Sequence, residues 1–296
     1  MYKAWAGIAL LWAQGGDTLS LWKYEGLLGF QAAQTALTNW QAGGQEQLSF
    51  GLQGRLKVSY HQKRTTLSLE SSGQYGLLRV VPQRTYRKTQ DFWLTVVQYE
   101  RNLDTAGRWA FSFLGDARTQ WTPTYTYVGD SVVKPAKSAF LAPLYGQFSV
   151  GVRYKVFSDW TLTLSPLSGR VTYVRLQYLA DRGAFGLHPA ELAPDSTILR
   201  PARKTLWEVG GRLTSRLSIT PTSGLKISHF LDIFGSYTQA PWGPVVVSQL
   251  QAVYKLKGWL ALTLSQQAIY DPRQGKGKEA LQLLSAWSVG ITLEKK

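Results

Sequence analysis

The chain has 296 residues, of which 44% are hydrophobic and 13% aromatic, including 12 Trp and 15 Tyr. It contains no Cys, which excludes a disulfide framework, a zinc–thiolate site and a cysteine nucleophile. The formal net charge of +15 favours acidic partners such as anionic lipid head groups or anionic solutes, but the basic residues form no long run, so nucleic acid is not an expected partner.

The N-terminal residues 1–14 read MYKAWAGIALLWAQ, with one basic residue, a short apolar stretch and a small residue at Ala13. This order predicts a secretory signal peptide over 1–14, and the alternative is an ordinary buried segment. Residues 15–296 then form the mature domain. No later segment has the roughly 18 uninterrupted apolar residues of a membrane helix, but a closed barrel can also span a membrane.

From about residue 25 onward, apolar and polar residues alternate with a period of two, which is typical of β-strands. In segment 47–61, for example, Leu52 and its alternate neighbours are apolar, whereas Gln53 and its alternate neighbours are polar. We predict about twelve such strands. They lie near residues 25–36, 46–61, 64–77, 88–100, 106–120, 144–157, 159–165, 205–220, 224–238, 244–256, 259–270 and 281–293.

Strand length and loop length favour a membrane barrel over a soluble β-sandwich. Most predicted strands exceed the roughly 9–11 residues needed to cross a bilayer, whereas strands of soluble proteins average about 5–6. Short turns follow the even-numbered predicted strands and mostly longer loops follow the odd-numbered ones, as in outer-membrane barrels of Gram-negative bacteria. The sequence therefore predicts an all-β, transmembrane, antiparallel up-and-down β-barrel of about 12 strands with periplasmic termini.

Three segments carry a resemblance to a known family. TALTNWQAGG at 35–44 resembles the S-N-W-A-A-G-G signature of a bacterial family of unknown function that is common in Bacteroidota. SAFLAPLYGQFSVGVRYK at 138–155 and LTLSPLSGRVTYV at 162–174 resemble two further segments of that family. The resemblance implies a barrel in the bacterial outer membrane and brings no known activity.

The first of these segments is interpreted as a turn motif. Trp40, next to Asn39, lies at the outer end of the first predicted strand, where an interface aromatic is expected. Gly43 and Gly44 allow a tight turn with positive φ. We favour an architectural turn over a binding motif.

The sequence contains few candidate catalytic groups. Of the histidines, His61 lies at a predicted periplasmic turn and His229 on a predicted lipid-facing position. His188 shares a long loop with Ser196 and Asp195, but no G-x-S-x-G motif accompanies it. We therefore expect no enzyme, no cofactor and no metal site.

Polar residues of the strands are predicted to face the barrel interior, and the basic ones outnumber the acidic ones. These charges either pair into a network that fills a narrow lumen or line an anion-preferring passage, and the sequence leaves both readings open. The predicted lumen-lining basic residues are Arg55, Lys57, Arg118, Arg153, Lys155, Arg212, Arg216 and Lys226, and the acidic ones are Glu70, Asp116, Glu208 and Asp232.

The first functional hypothesis is a narrow, porin-like, anion-preferring pore or small-solute transporter of the outer membrane. The alternative is a non-transporting structural or accessory barrel that docks envelope proteins or lipopolysaccharide, and a minor alternative is a lipid-modifying enzyme. The expected partners are outer-membrane lipids and lipopolysaccharide, whose phosphates suit the basic loops, together with envelope proteins.

Overall fold

The computed structural model describes residues 7–15, 21–35, 46–238, 243–257, 260–272 and 281–291. It is an all-β fold with one short helix, and no helix among the described residues is long and apolar enough to cross a membrane. The strands are β1 (Gly7–Gly15), β2 (Trp22–Thr35), β3 (Gln47–Gln62), β4 (Thr65–Val80), β5 (Arg87–Asn102), β6 (Trp109–Thr119), β7 (Thr124–Val128), β8 (Ser131–Ser138), β9 (Leu144–Phe157), β10 (Trp160–Tyr173), β11 (Glu191–Leu192), β12 (Ile198–Arg200), β13 (Thr205–Thr222), β14 (Leu225–Ser236), β15 (Val245–Lys257), β16 (Leu260–Tyr270) and β17 (Leu281–Ile291). The helix is α1 (Gln177–Asp181).

One large antiparallel sheet holds 13 strands in the order β1-β2-β3-β4-β5-β6-β9-β10-β13-β14-β15-β16-β17. The twelve strands predicted from the sequence all correspond to strands of this sheet, which confirms the period-two reading. The remaining strands form the small hairpins β7–β8 and β11–β12. Strands β1 and β17 lie at the two ends of the order, and no pairing between described strands joins them into a closed barrel.

The strand predicted at 159–165 ends too early, because a proline at residue 166 is a usual signal for the end of a strand. The strand continues to Tyr173. Pro166 and Leu167 are both exposed while Ser165 and Ser168 are both buried, and the Ser168 hydroxyl donates to the Ser165 carbonyl at 3.3 Å. The strand therefore accommodates Pro166 at an irregularity, where the alternation of buried and exposed residues is interrupted.

Several connections follow the predicted alternation of short turns and long loops, but the connections after β4 (81–86) and after β5 (103–108) have the same length. The turns after β3, β9 and β13 contain only Lys63–Arg64, Ser158–Asp159 and Ser223–Gly224. The connections after β6 and β10 are long, cover residues 120–143 and 174–204, and contain the two small hairpins.

The predicted signal peptide overlaps strand β1, which pairs with β2 from Gly7↔Ala32 to Gly15↔Tyr24. The signal peptide stays a prediction, and its removal would leave the other twelve strands of the sheet. We expect the mature protein to begin near Gln14–Asp17, because cleavage follows the apolar stretch. N-terminal sequencing of protein purified from membranes measures this directly, and a protein that retains Met1 would contradict it.

The described residues form two compact units. Unit 1 comprises those within Met1–Tyr99, Gly115–Gln147 and Val171–Leu206, and unit 2 comprises those within Glu100–Leu114, Phe148–Arg170 and Trp207–Lys296. The buried hydrophobic cluster of unit 1 is small and lies in the two long connections. Its members are Ala139, Ala142, Val174, Leu179, Ala180, Leu187 and Ala202.

Candidate functional site: the polar face of the sheet and its loop cap

Strand β13 in unit 2 has one apolar and one polar side, and the apolar side is the exposed one. Trp207 is 63% exposed and Val209 43%, whereas Glu208 is 2%, Arg212 5% and Thr214 7% exposed. Water-soluble proteins bury apolar side chains and expose charged ones, so this strand shows the opposite arrangement. We call the two sides the apolar face and the polar face.

Unit 1 has the same arrangement on β3. Leu52 and Leu56 are exposed on the apolar face, whereas Ser59 is buried on the polar face. Large apolar side chains are exposed on other strands as well. Together they form more exposed apolar surface than a soluble monomer normally presents. In unit 1 they include Leu28, Phe30, Leu67, Leu69 and Val97, and in unit 2 Phe148, Val152, Leu164, Leu213 and Leu283.

The polar face of unit 2 contains a buried ion pair. Arg212 donates from Nε to Asp232 Oδ1 at 2.8 Å and from Nη2 to Oδ2 at 2.7 Å, which is a two-pronged contact. Asp232 lies directly opposite Thr214 in the β13–β14 register, so all three residues share one face. The charges of Arg212 and Asp232 are therefore mutually neutralised within the polar face.

A second predicted cation, Arg153, also has a carboxylate partner. Its Nε donates to Glu100 Oε2 at 3.1 Å and its Nη2 to Asn102 Oδ1 at 3.1 Å. Glu100 was missed in the sequence because the predicted strand stopped at this residue, whereas β5 continues to Asn102. The extension places both partners on the side of β5 that meets Arg153.

The predicted residues of unit 1 pair at more exposed positions. Arg55 contacts Glu70 through Nε at 2.8 Å, and Lys57 lies opposite Glu70 in the β3–β4 register. The side chains of Arg55 and Glu70 are 49% and 30% exposed, so solvent screens this pair. Arg118 is exposed and its guanidinium lies 5.6 Å from the centroid of the Phe92 ring.

The other predicted lumen residues are less enclosed, apart from Glu208. In unit 2, Arg216 is exposed with its guanidinium 5.4 Å from the Phe230 ring centroid, and Lys226 is exposed. Lys155 in unit 2 and Asp116 in unit 1 are half-buried. The predicted turn motif, Asn39, Trp40, Gly43 and Gly44, lies outside the described residues.

His61 and His229 each contact a hydroxyl group. The ring nitrogen Nδ1 of His61 is 3.1 Å from Thr66 Oγ1, and Nε2 of His229 is 3.0 Å from Ser248 Oγ. Asp195 accepts hydrogen bonds from the Thr197 hydroxyl and backbone N–H, and these bonds hold the pKa of Asp195 below its usual range. The absence of an enzyme activity stays a prediction, as does the absence of a metal.

The connection after β6 is fixed to β5 in unit 1. Asp91 accepts the backbone N–H groups of Trp121 and Thr122, each at 2.8 Å, and pairs with Lys88 Nζ at 2.8 Å. The Trp121 ring stacks on Trp93 with 5.0 Å between ring centroids. These contacts fix the start of the connection to the first residues of β5.

The turn between β7 and β8 is fixed as well. Asp130 accepts the backbone N–H groups of Arg84 at 2.8 Å and Thr85 at 2.9 Å, and Arg87 Nη2 donates to the Gly129 carbonyl at 2.9 Å. The Thr85 bond, followed by that of Arg84, lowers the pKa of Asp130 below its usual range. The hairpin is therefore attached to the β4–β5 connection.

The connection after β10 packs against the one after β6, within unit 1. Asp181 Oδ1 accepts from Gln177 Nε2 and from the Ala202 backbone N–H, each at 2.8 Å, and Tyr178 donates its hydroxyl to the Ala136 carbonyl at 2.6 Å. The hydrophobic cluster of unit 1 lies between the two connections. We call residues 120–143 and 174–204 together the loop cap.

Acidification is expected to release the β7–β8 hairpin. A carboxylate whose pKa is lowered by folding stabilises the folded state at pH values above the ordinary aspartate pKa of about 3.9. That contribution is lost as the pH falls through the pKa of the folded state. Hydrogen exchange over residues 124–138, corrected for the intrinsic pH dependence, should therefore rise below about pH 4. Asp130→Ala should raise exchange at neutral pH and remove the pH step, and a step that persists in this variant would contradict the assignment.

Over residues 32–125 the chain matches a family described as "Protein of unknown function (DUF3078)". This range includes the NWQAGG segment and ends before segments 138–155 and 162–174, whose resemblance stays an expectation. Comparison with curated proteins gives no match.

Among the solved structures with similar chains are a CdiB and a ferric enterobactin receptor, both of low identity to this chain. CdiB from Acinetobacter baumannii is 11% identical with a TM-score of 0.32, over 92% of this chain and 48% of CdiB. A variant of the ferric enterobactin receptor PfeA from Pseudomonas aeruginosa is 11% identical with a TM-score of 0.34, over 87% of this chain and 40% of the receptor. This chain thus spans less than half the length of either structure.

Proposed function

We propose that this protein is a transmembrane β-barrel of the bacterial outer membrane. The observation that carries the proposal is the reversal of faces: large apolar side chains are exposed, and Glu208, Arg212 and Thr214 are buried. An exposed apolar face is stable when it contacts lipid, and strands satisfy their backbone hydrogen bonds between neighbours. The long strands, such as the 16 residues of β3 and the 18 residues of β13, are sufficient to cross a bilayer.

Within this class we propose a narrow passage for small solutes with a preference for anions. Arg153 and Arg212 are neutralised by Glu100 and Asp232, respectively. These two arginines therefore contribute little to the electrostatic field in the passage. Arg216 and Lys226 are exposed on the polar face of β13 and β14, Arg216 with its guanidinium 5.4 Å from the Phe230 ring centroid, and both lie where an anion in the passage would meet them.

Planar-bilayer conductance tests this proposal. The wild-type protein should conduct and favour anions, and Arg216→Glu with Lys226→Glu should move the reversal potential in a salt gradient toward cation preference. The shift should shrink at high salt, because the Debye length falls from about 10 Å at 0.1 M to about 3 Å at 1 M. Arg101→Glu is the matched control, because Arg101 follows Glu100 and therefore lies on the opposite face of β5.

The alternative, a structural or accessory barrel, is favoured by the loop cap. A long connection with its own hydrophobic cluster and fixed carboxylates is a defined surface that suits docking of envelope proteins or lipopolysaccharide. A wild-type protein that inserts into bilayers without conducting would support this alternative. A lipid-modifying enzyme remains the minor alternative, and lipase and acyltransferase assays on the inserted protein test it.

A further inference from the structure

The polar face of unit 2 contains a concavity of about 630 Å³ on strands β13 to β16. Cross-strand pairing places its lining in three consecutive rows. The two outer rows share this face and are Arg216–Phe230–Gln249–Gln267 and Ser218–Ser228–Gln251, whereas the middle row, Leu217–His229–Leu250–Gln266, alternates to the other face. We call this site the glutamine groove, and its volume lies within the roughly 300–1,000 Å³ of small-molecule sites.

The glutamine groove differs from the rest of the polar face in its hydrogen bonding. Arg212 and Asp232 bind each other through two hydrogen bonds. Within the part of the chain that the structure describes, the side-chain amides of Gln249, Gln251 and Gln267 make no hydrogen bond to another residue. Three amides on one concave surface are therefore available to a ligand.

The chemistry of the lining selects the ligand class. Each amide offers both donors and an acceptor, and the hydroxyls of Ser218 and Ser228 do the same. No carboxylate is among the described lining residues, which disfavours a cation, and Arg216 is the sole cation among them, which is little for a multiply charged anion. A solute rich in hydroxyl groups matches such neutral, two-way hydrogen-bonding groups.

We infer that the glutamine groove binds a short neutral oligosaccharide, so that the proposed passage admits neutral sugars in addition to the small anions that it prefers. The inference rests on the proposed function, because it identifies the polar face with the barrel lumen. The amides of Gln249 and Gln267 lie directly opposite each other on β15 and β16, so one sugar can contact both. The Phe230 ring adds an apolar surface in the same row.

Titration of the full-length protein, folded in lipid vesicles, with neutral hexasaccharides of glucose, mannose and N-acetylglucosamine tests the inference. We expect one of them to bind and to block conductance reversibly, and polyethylene glycol of similar mass not to bind. Replacing Gln249 and Gln267 together by Leu should weaken binding by about tenfold or more, because two hydrogen bonds are lost. Replacing Gln53 and Gln74 together by Leu is the matched control, since these two glutamines also lie directly opposite each other, on β3 and β4, and neither lines the glutamine groove.

The wild-type titration decides the inference even if the double variant does not fold. Folded, membrane-inserted protein that binds none of the three sugars would overturn the glutamine groove and leave the proposed barrel intact. Equal weakening by the control replacement of Gln53 and Gln74 and by the replacement of Gln249 and Gln267 would overturn the location of the site. Protein that does not insert into vesicles would instead count against the proposed function.

Discussion

Replacing Leu52 by Arg is expected to destabilise the protein folded in lipid by about 2–4 kcal/mol, the cost of a basic side chain at the middle of a bilayer-facing strand. Leu52 is 51% exposed on the apolar face and lies near the centre of β3. Unfolding titrations of protein in lipid vesicles measure this cost as a change in the free energy of unfolding.

The control for this prediction is Gln53→Arg, which introduces the same side chain one residue further on. Gln53 lies opposite Gln74 on the polar face, where an additional arginine contacts other polar groups. The destabilisation should therefore be much smaller than at Leu52. Equal free-energy losses at the two positions would mean that the two faces of β3 meet the same solvent.

Removing the guanidinium of Arg212 is expected to have the second large effect. Arg212→Met would leave Asp232 without the two hydrogen bonds that neutralise it, and breaking a buried ion pair in this way typically costs about 3–5 kcal/mol. The same unfolding titration measures the loss. Because an unpaired charge causes the cost, adding Asp232→Leu to Arg212→Met should restore much of the stability.

Arg55→Met supplies the matched comparison for the exposed pair with Glu70. Arg55 contacts Glu70 with similar distances, but both side chains are partly exposed, so the expected loss is below about 1 kcal/mol. If Arg55→Met cost as much as Arg212→Met, burial would not be what distinguishes the two pairs.

The sequence predicted the strands well because each strand carries its own local signal. In β3, alternation around Leu52 and Gln53 predicts which side chains share a face without any knowledge of the partner strands. The same alternation correctly assigns Arg212 and Asp232 to one face. What it does not give is the cross-strand register that brings their charges together.

The missed features depend on contacts between distant segments. Asp91 and Asp181 fix the long connections through backbone N–H groups, and such partners have no spacing signature in the sequence. Glu100 was missed because it lies near a strand end, where boundaries inferred from a pattern are least certain. The glutamine groove joins residues of four strands, so only the register of β13 to β16 reveals it.

The central claim is that the apolar face contacts lipid, and a cysteine scan of β3 tests it most directly. Because the chain has no Cys, single-cysteine variants from Leu48 to Tyr60 accept one nitroxide each without background labelling. In vesicles, labels at Leu52 and Leu56 should collide with oxygen dissolved in lipid, whereas labels at Gln53 and Ser59 should not. Collisions with oxygen should therefore alternate with a period of two along the strand. Labels at Leu52 and Leu56 that are reached mainly by a water-soluble nickel complex would contradict it.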